Sequence, residues 1–257
     1  MKKICFLLLL GAHSNLFAQP VQNKKIQNWS IGIQMNSPEK IQSFVGYIPE
    51  THYFTNKTRD MSFSIGINFG LRLGQNAFFR ISTDYNKINI KGLSDSRELV
   101  QSPPIPITSY TLTNIQIRQE SFFFIPGLGW PLISGSKIDF YCGFNVPLLL
   151  RKNLAVERNS AVYDSTNFQI SNDDLILTVP GGYAIGLGAF SGFGIKIFQN
   201  VSIEAEGNFS IRYNHYGGIY TAVGAGSSGS YTVSNRDEYE KLETSIPRMI
   251  IRTSFFF

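Results

Sequence analysis

Histidine, serine and glycine are where chemistry would first be sought in this chain. A Ser/His hydrolase places its nucleophile within hydrogen-bond reach of a histidine base. Outside the N-terminal leader described below, the histidines are His52 and His215. Two residues after His215 stands Gly217, and Ser210 lies five residues before it, on the opposite face of any strand they share. That spacing does not favour hydrolysis. Two distant histidines and a lone Cys142 have no metal-ligand spacing. The run Gly181, Gly182, Tyr183, Ala184, Ile185, Gly186, Leu187, Gly188 has no P-loop lysine and opens no helix, so it does not read as a phosphate cradle. The reading assigns no catalytic, cofactor-binding or metal-binding residue, no cofactor and no nucleic-acid partner.

Charged residues inside apolar segments ask for more explanation. Arg72, Arg80, Arg118, Lys196, Arg212, Arg248 and Arg252 are set against Asp84, Glu120, Asp139, Glu204 and Glu206. All twelve fall on the polar face of segments whose other face is apolar. If those faces enclose a narrow interior, the charges must pair, because an isolated buried charge costs several kcal/mol. Glu204 and Arg252 lie at similar heights on neighbouring segments and are the first pair expected. Such a network can hold an interior closed or line a selective path, and the closed reading is favoured.

The elements that would position these residues are strands. From Met61 to Leu73, apolar side chains at every odd position alternate with Ser62, Ser64, Gly66, Asn68, Gly70 and Arg72, a period of two that a helix would scatter around its circumference. The same alternation returns over 137–150 and 201–213. Eight strands are expected, at 28–36, 61–73, 77–90, 114–130, 137–150, 180–197, 201–214 and 242–257. Short turns at 74–76, 131–136 and 198–200 alternate with long polar connections at 37–60, 91–113, 151–179 and 215–241. Gly182, Gly186, Gly188, Gly192 and Gly194 share one parity and would make room for long side chains in the interior. The 215–241 segment, with Tyr216, Tyr220 and Tyr231 among glycines and serines, reads either as a mobile hairpin tip or as an adaptable binding loop. Pro103, Pro104 and Pro106 mark an extended stretch in the 91–113 connection.

At the N-terminus, Lys2 and Lys3 precede an apolar stretch from Ile4 to Ala12, and Leu16, Phe17 and Ala18 form a plausible cleavage site. This is the pattern of an export signal over residues 1–18. Lys2 and Lys3 leave with it and no acid does, so the formal +5 falls to +3. Cys5 leaves too, and Cys142 alone forms no intramolecular bridge. Residues 19–27 would be a periplasmic segment and 28–257 one domain. No later apolar run approaches the roughly 20 residues of a spanning helix, so a membrane form would be a barrel.

A soluble ligand carrier would show the same period with its apolar face inward. Strands beyond the roughly 9–11 residues that cross a bilayer, together with Trp29, Phe79, Trp130, Phe198 and Phe257 near one set of strand ends, favour lipid outside. The alternation of short and long connections fits a barrel with both termini at the periplasmic side. The chain ends on Phe255, Phe256 and Phe257, which resembles the C-terminal sorting signal of bacterial outer-membrane β-barrels. Phe255 and Phe257 would form that insertion signal. The fold expected is therefore all-β: an eight-stranded antiparallel up-and-down transmembrane β-barrel with short periplasmic turns and long extracellular loops.

Ser121, Phe122, Phe123, Phe124, Ile125, Pro126, Gly127 and Leu128, followed by Ile138, Asp139, Phe140, Tyr141, Cys142, Gly143, Phe144, Asn145, Val146 and Pro147, resemble the PorT-type outer-membrane β-barrel family of Bacteroidetes. Size and topology are also similar to OmpA-type and OmpX-type barrels. The resemblance implies a cell outer membrane location and a non-catalytic structural or surface-interaction role. An accessory barrel of a type IX-like secretion system, a narrow porin-like pore and a lipid-modifying enzyme stay open as alternatives. The partners implied are outer-membrane lipid and lipopolysaccharide, the barrel-assembly machinery during insertion, and an extracellular or secretion-system protein.

Overall fold

The computed structural model describes residues 29–38, 57–74, 76–100, 107–135, 137–164, 166–226, 229–245 and 248–257. The expected signal (1–18), the 19–27 segment, His52 and the three prolines Pro103, Pro104 and Pro106 lie outside them. Within them the chain forms thirteen strands. They are β1 (Trp29–Asn36), β2 (Lys57–Asp60), β3 (Phe63–Leu73), β4 (Ala77–Val100), β5 (Ile107–Ser134), β6 (Ile138–Asn145) and β7 (Leu148–Arg151). Then come β8 (Leu154–Tyr163), β9 (Gln169–Val179), β10 (Gly182–Phe198), β11 (Val201–Gly226), β12 (Gly229–Thr244) and β13 (Arg248–Phe256). Every pairing is antiparallel.

These pairings return on themselves. β1 pairs β3, β3 pairs β4, β4 pairs β5, and β5 pairs β6 and β7. β6 and β7 pair β10, β10 pairs β11, β11 pairs β13, and β13 pairs β1. Along this circuit no strand presents a free edge to unpaired backbone, which removes the usual liability of an open sheet.

Thirteen segments stand where the alternation predicts eight, and several are separated only by local breaks that the ladder spans. Pro147 has no N–H and interrupts β6 from β7. The line continues through it because Val146 N–H donates to Pro126 O at 2.9 Å and Pro147 O accepts from Gly186 N–H at 3.1 Å. Lys152 N–H donates to Glu120 O at 2.8 Å across the β7–β8 break, Met61 N–H to Asn89 O at 3.0 Å across β2–β3, and Ser245 N–H to Ser210 O at 2.7 Å across β12–β13. The short connections fall where expected. Gly74, at φ 73°, supplies the left-handed residue between β3 and β4.

The expectation of long polar loops at 91–113, 151–179 and 215–241 is corrected. β4 spans 24 residues, β5 28 and β11 26, and with β8, β9 and β12 they extend the same sheet, paired in the order β2–β4–β5–β8–β9–β11–β12. Tyr216 is buried within it rather than displayed on a mobile tip. The reason is a core that the overall polarity of these stretches conceals. Ile115, Ile117, Leu154, Val156 and Leu177 bury together, with Ile90, Val179, Tyr220 and Ala222 packed against them. One apolar residue in two suffices for a strand with one buried face.

The β8–β9 hairpin shows how the outer sheet is closed locally. Asn167 takes a left-handed φ of 65°, which asparagine tolerates better than other side chains. The Asp164 carboxylate accepts from Thr166 N–H at 2.8 Å, Thr166 Oγ1 at 2.7 Å and Phe168 N–H at 2.9 Å. These donors hold its pKa below the ordinary carboxylate value, the Thr166 hydroxyl contributing most. A depressed carboxyl pKa contributes order that is present above the ordinary carboxylate range and lost as pH falls through the depressed value. Protection of the Thr166 and Phe168 amides, taken relative to their intrinsic exchange rates at each pH, should therefore be high near neutrality and fall on that acidification, and Asp164→Ala should show little protection throughout.

Candidate functional site

Burial in this fold is inverted relative to a soluble protein. Gln34, Asn68, Asp84, Asn86, Asn214 and Ser254 are buried on one face of the circuit strands, while Ile33, Ile67, Phe144, Leu150, Leu187 and Ile251 lie exposed on the other. The enclosed interior is therefore the candidate site, and its contents are mostly charged and amide side chains.

At its centre, Arg80 and Glu206 form a two-pronged pair, Arg80 Nη2 donating to Glu206 Oε1 at 2.9 Å and Nη1 to Oε2. β4 and β11 stand at opposite points of the circuit, with β3, β1 and β13 between them on one side and β5, β6 and β10 on the other. The pair thus crosses the interior. Arg252 joins it, with Nη1 2.9 Å from Glu204 Oε2 and 3.8 Å from Glu206 Oε2. Its Nε donates to Gln34 Oε1 at 3.0 Å, and Gln34 Nε2 donates to Asp84 Oδ1. Asp84 lies 3.6 Å from Arg248 Nη2, which also donates to Ser64 Oγ at 3.3 Å. Glu204 accepts from Tyr141 Oη at 3.3 Å and Ser202 Oγ at 3.1 Å.

Aromatic side chains cap the arginines from the other half of the wall. The Arg80 guanidinium lies 3.4 Å from the centroid of Phe190, and Phe190, Tyr141 and Phe78 form one cluster. Arg248 lies 4.2 Å over Phe123, again from the opposite side of the circuit, and Phe123 packs with Ile125, Leu149 and Ala184. Arg151 donates to Asn214 Oδ1 at 3.2 Å and lies 4.6 Å over Tyr216. A Cβ added to Gly188 would fall 2.2 Å from Asn145 Oδ1, so that glycine makes room for a facing amide.

Most expected interior charges are brought together. Arg80, Asp84, Glu204, Glu206, Arg248 and Arg252 form the network, with Glu204 directly opposite Arg252 in register. Arg212 is buried on the same face. Lys196 and Asp139 pair at 2.7 Å near the turn end, partly exposed, and Arg72 is exposed at the end of β3.

Arg118 and Glu120 are corrections. Both face outward, Arg118 paired with Glu157 and Glu120 with Lys152 at 2.9 Å. On β5 the buried parity belongs to Ile115, Ile117, Ser121, Phe123 and Ile125. Apolar residues on both faces of that strand hid its true phase.

Sequence reasoning missed Gln34, Tyr141, Phe190, Phe123 and Arg151. Gln34 and Tyr141 were detectable from parity alone, since each alternates with outward apolar neighbours. Phe190 and Phe123 carry no polar signal that could have marked them as interior. His215 lies on the outer face, stacked on Tyr183 at 5.0 Å with Nδ1 3.3 Å from Glu240 Oε1. Ser210 instead faces inward and bonds Ser245 Oγ at 2.9 Å. Trp29 stacks on Phe257 at 4.6 Å. What the interior can do chemically is bind its own charges across a narrow space.

No family model matches the chain, and no curated protein matches it either. Among solved structures it is similar to Neisserial surface protein A (NspA), at 14% identity over 89% of this chain and 97% of that one, TM-score 0.34. It is similar to the outer membrane protein OprG from Pseudomonas aeruginosa at 10% identity over 92% and 99%, TM-score 0.38. Outer membrane protein H (OprH) from P. aeruginosa is similar at 14% identity over 90% and 99%, TM-score 0.35. These likenesses are distant, and the architecture rests on the strand pairings themselves.

Glu206→Gln should leave Arg80 and Arg252 short of a buried counter-charge and destabilise the protein by roughly 3–5 kcal/mol. Urea unfolding followed by fluorescence of Trp29 and Trp130 measures this. The double change Arg80→Met with Glu206→Leu should recover part of the loss, because it removes both charges.

Proposed function

We propose that this chain is a closed, eight-stranded outer-membrane β-barrel without catalytic activity, acting as a structural or surface-interaction protein through its extramembrane sheet. The eight staves are β1, β2 with β3, β4, β5, β6 to β8, β9 with β10, β11, and β12 with β13, each taken through its local break. The observation that carries the reading is the inverted burial: polar and charged side chains packed inside, an apolar belt outside. In water such a belt would be a large aggregation-prone surface. In lipid it is the favourable face.

Dimensions support the same reading. β3 has 11 residues, and at about 3.3 Å per residue with a tilt of about 40° it covers roughly 27 Å, close to the apolar band of such barrels. β4, β5 and β11 are more than twice the length needed for crossing. Their excess forms a sheet with its own apolar core, which suits presentation of a surface outside the membrane. The Arg80–Glu206 pair and the Arg80–Phe190 and Arg248–Phe123 contacts support a filled interior over a conducting one.

Export by residues 1–18 and recognition of Phe255 and Phe257 during insertion belong to this proposal. The test is fractionation. The protein should co-purify with outer membranes and run faster on gels before boiling than after. Recovery in the soluble fraction without detergent would refute the assignment. In intact cells, a cysteine replacing Thr232 on β12 should label with an impermeant maleimide and one replacing Asn76 should not.

A further inference from the structure

Just beyond the apolar belt, one sector of the outer wall carries clustered positive charge. Its lower border is aromatic. Phe63, Tyr85 and Phe122 form a continuous cluster, with ring centroids 6.0 Å and 5.2 Å apart. The next outward position on β4 is Lys87, level with Phe63 on β3 and Glu120 on β5. Two outward positions further is Lys91, directly opposite Arg59 on β2. The buried residues of β4 are Arg80, Ser82, Asp84, Asn86 and Ile88, so Lys87 and Lys91 project from the other face. Arg59, as the register partner of Lys91, shares it.

The charges of this sector do not cancel. Its acids Glu120 and Glu157 are held by Lys152 and Arg118. Asp60 alternates to the other face of β2 and accepts from Ser62 N–H at 2.8 Å. Lys87 has Glu120 nearby, but that carboxylate is already bonded to Lys152 and Tyr85. Arg59 and Lys91 contact no carboxylate among the described residues. The β11–β12 side differs. Its outward charges are Arg236, Glu238 and Glu240 with His215, bonded among themselves. The positive patch is therefore local and not a property of the whole rim.

We propose that Arg59, Lys87 and Lys91 form a binding surface for the phosphates of an anionic lipid headgroup in the surrounding leaflet, with Phe63, Tyr85 and Phe122 against its acyl chains. The inference rests on the membrane reading above. Position selects the partner. Lys87 is one pleat, about 6.6 Å along the strand, beyond Tyr85, at the height where hydrocarbon gives way to headgroups. Lys91 and Arg59 lie about 13 Å further along, the reach of a headgroup carrying more than one phosphate. Charge complementarity selects phosphate, and long cationic side chains at a membrane boundary extend toward it.

Nanodiscs of phosphatidylcholine doped with bis-phosphorylated lipid A test this, with lipid retained after delipidating washes counted by native mass spectrometry. Wild type should retain lipid A and release it at high salt, and should retain dephosphorylated lipid A at least tenfold less. Arg59→Gln with Lys87→Gln and Lys91→Gln should lower retention about a hundredfold, each surface cation contributing roughly a factor of five. The corresponding lysine and arginine interchange should keep binding, and Arg236→Gln on the other sector should change nothing. Equal retention of phosphorylated and dephosphorylated lipid by wild type would overturn the proposal without needing any variant to fold. Competition by millimolar inorganic phosphate would overturn the assignment to lipid. Failure to enter nanodiscs at all refutes the membrane reading instead, and insertion without discrimination refutes only this inference.

Discussion

A carboxylate shared by two arginines organises the interior. Glu206 takes Arg80 from the far wall and approaches Arg252 from the adjacent strand, and each of these groups is almost fully buried. Burying any one of them alone would cost several kcal/mol. Their presence together dictates much else: Gln34 and Glu204 accept hydrogen bonds from Nε and Nη1 of Arg252, Phe190 covers Arg80, and glycines along β10 leave space for the side chains they face. A wall that must close around such a cluster also has to keep its strands in register, since a slip of one residue would carry every charge to the opposite face.

That constraint explains the division of the structure into two cores. At the level of the belt, the outside is apolar and the inside is held by charge and hydrogen bonds. Above it, the same strands change character. Their inward residues become Ile88, Ile115, Ile117, Leu154 and Val156, and outward positions on β5 and β8 such as Gln116, Arg118 and Glu157 become polar. A single strand such as β5 therefore obeys two opposite patterning rules along its length.

The legible part of the fold was the part under the simpler rule. Strict alternation from Met61 to Leu73, and the matching phase of Glu204 and Arg252, locate strands and one ion pair from sequence alone. The reading failed where one rule gave way to the other. On β5 the apolar run Phe122, Phe123, Phe124, Ile125 has no phase of its own, so Arg118 and Glu120 were assigned to the interior although they face outward. The hairpins above the belt read as loops in the sequence because polar residues outnumber apolar ones there, and only a pairing partner reveals that half a strand is buried. Cross-wall contacts such as Arg248 with Phe123 depend on which strands stand opposite, information that no local pattern contains.

The proposed membrane role requires the apolar face of the wall to be the one that meets lipid. Single nitroxide labels placed in turn at positions 64 to 71 of β3, in the reconstituted protein, report this through collision with oxygen and with a water-soluble nickel chelate. A strict period of two is expected, with oxygen favoured at 65, 67, 69 and 71 and neither reagent gaining access at 64, 66, 68 and 70. Oxygen access with the opposite phase, or nickel access at the odd positions, would contradict it.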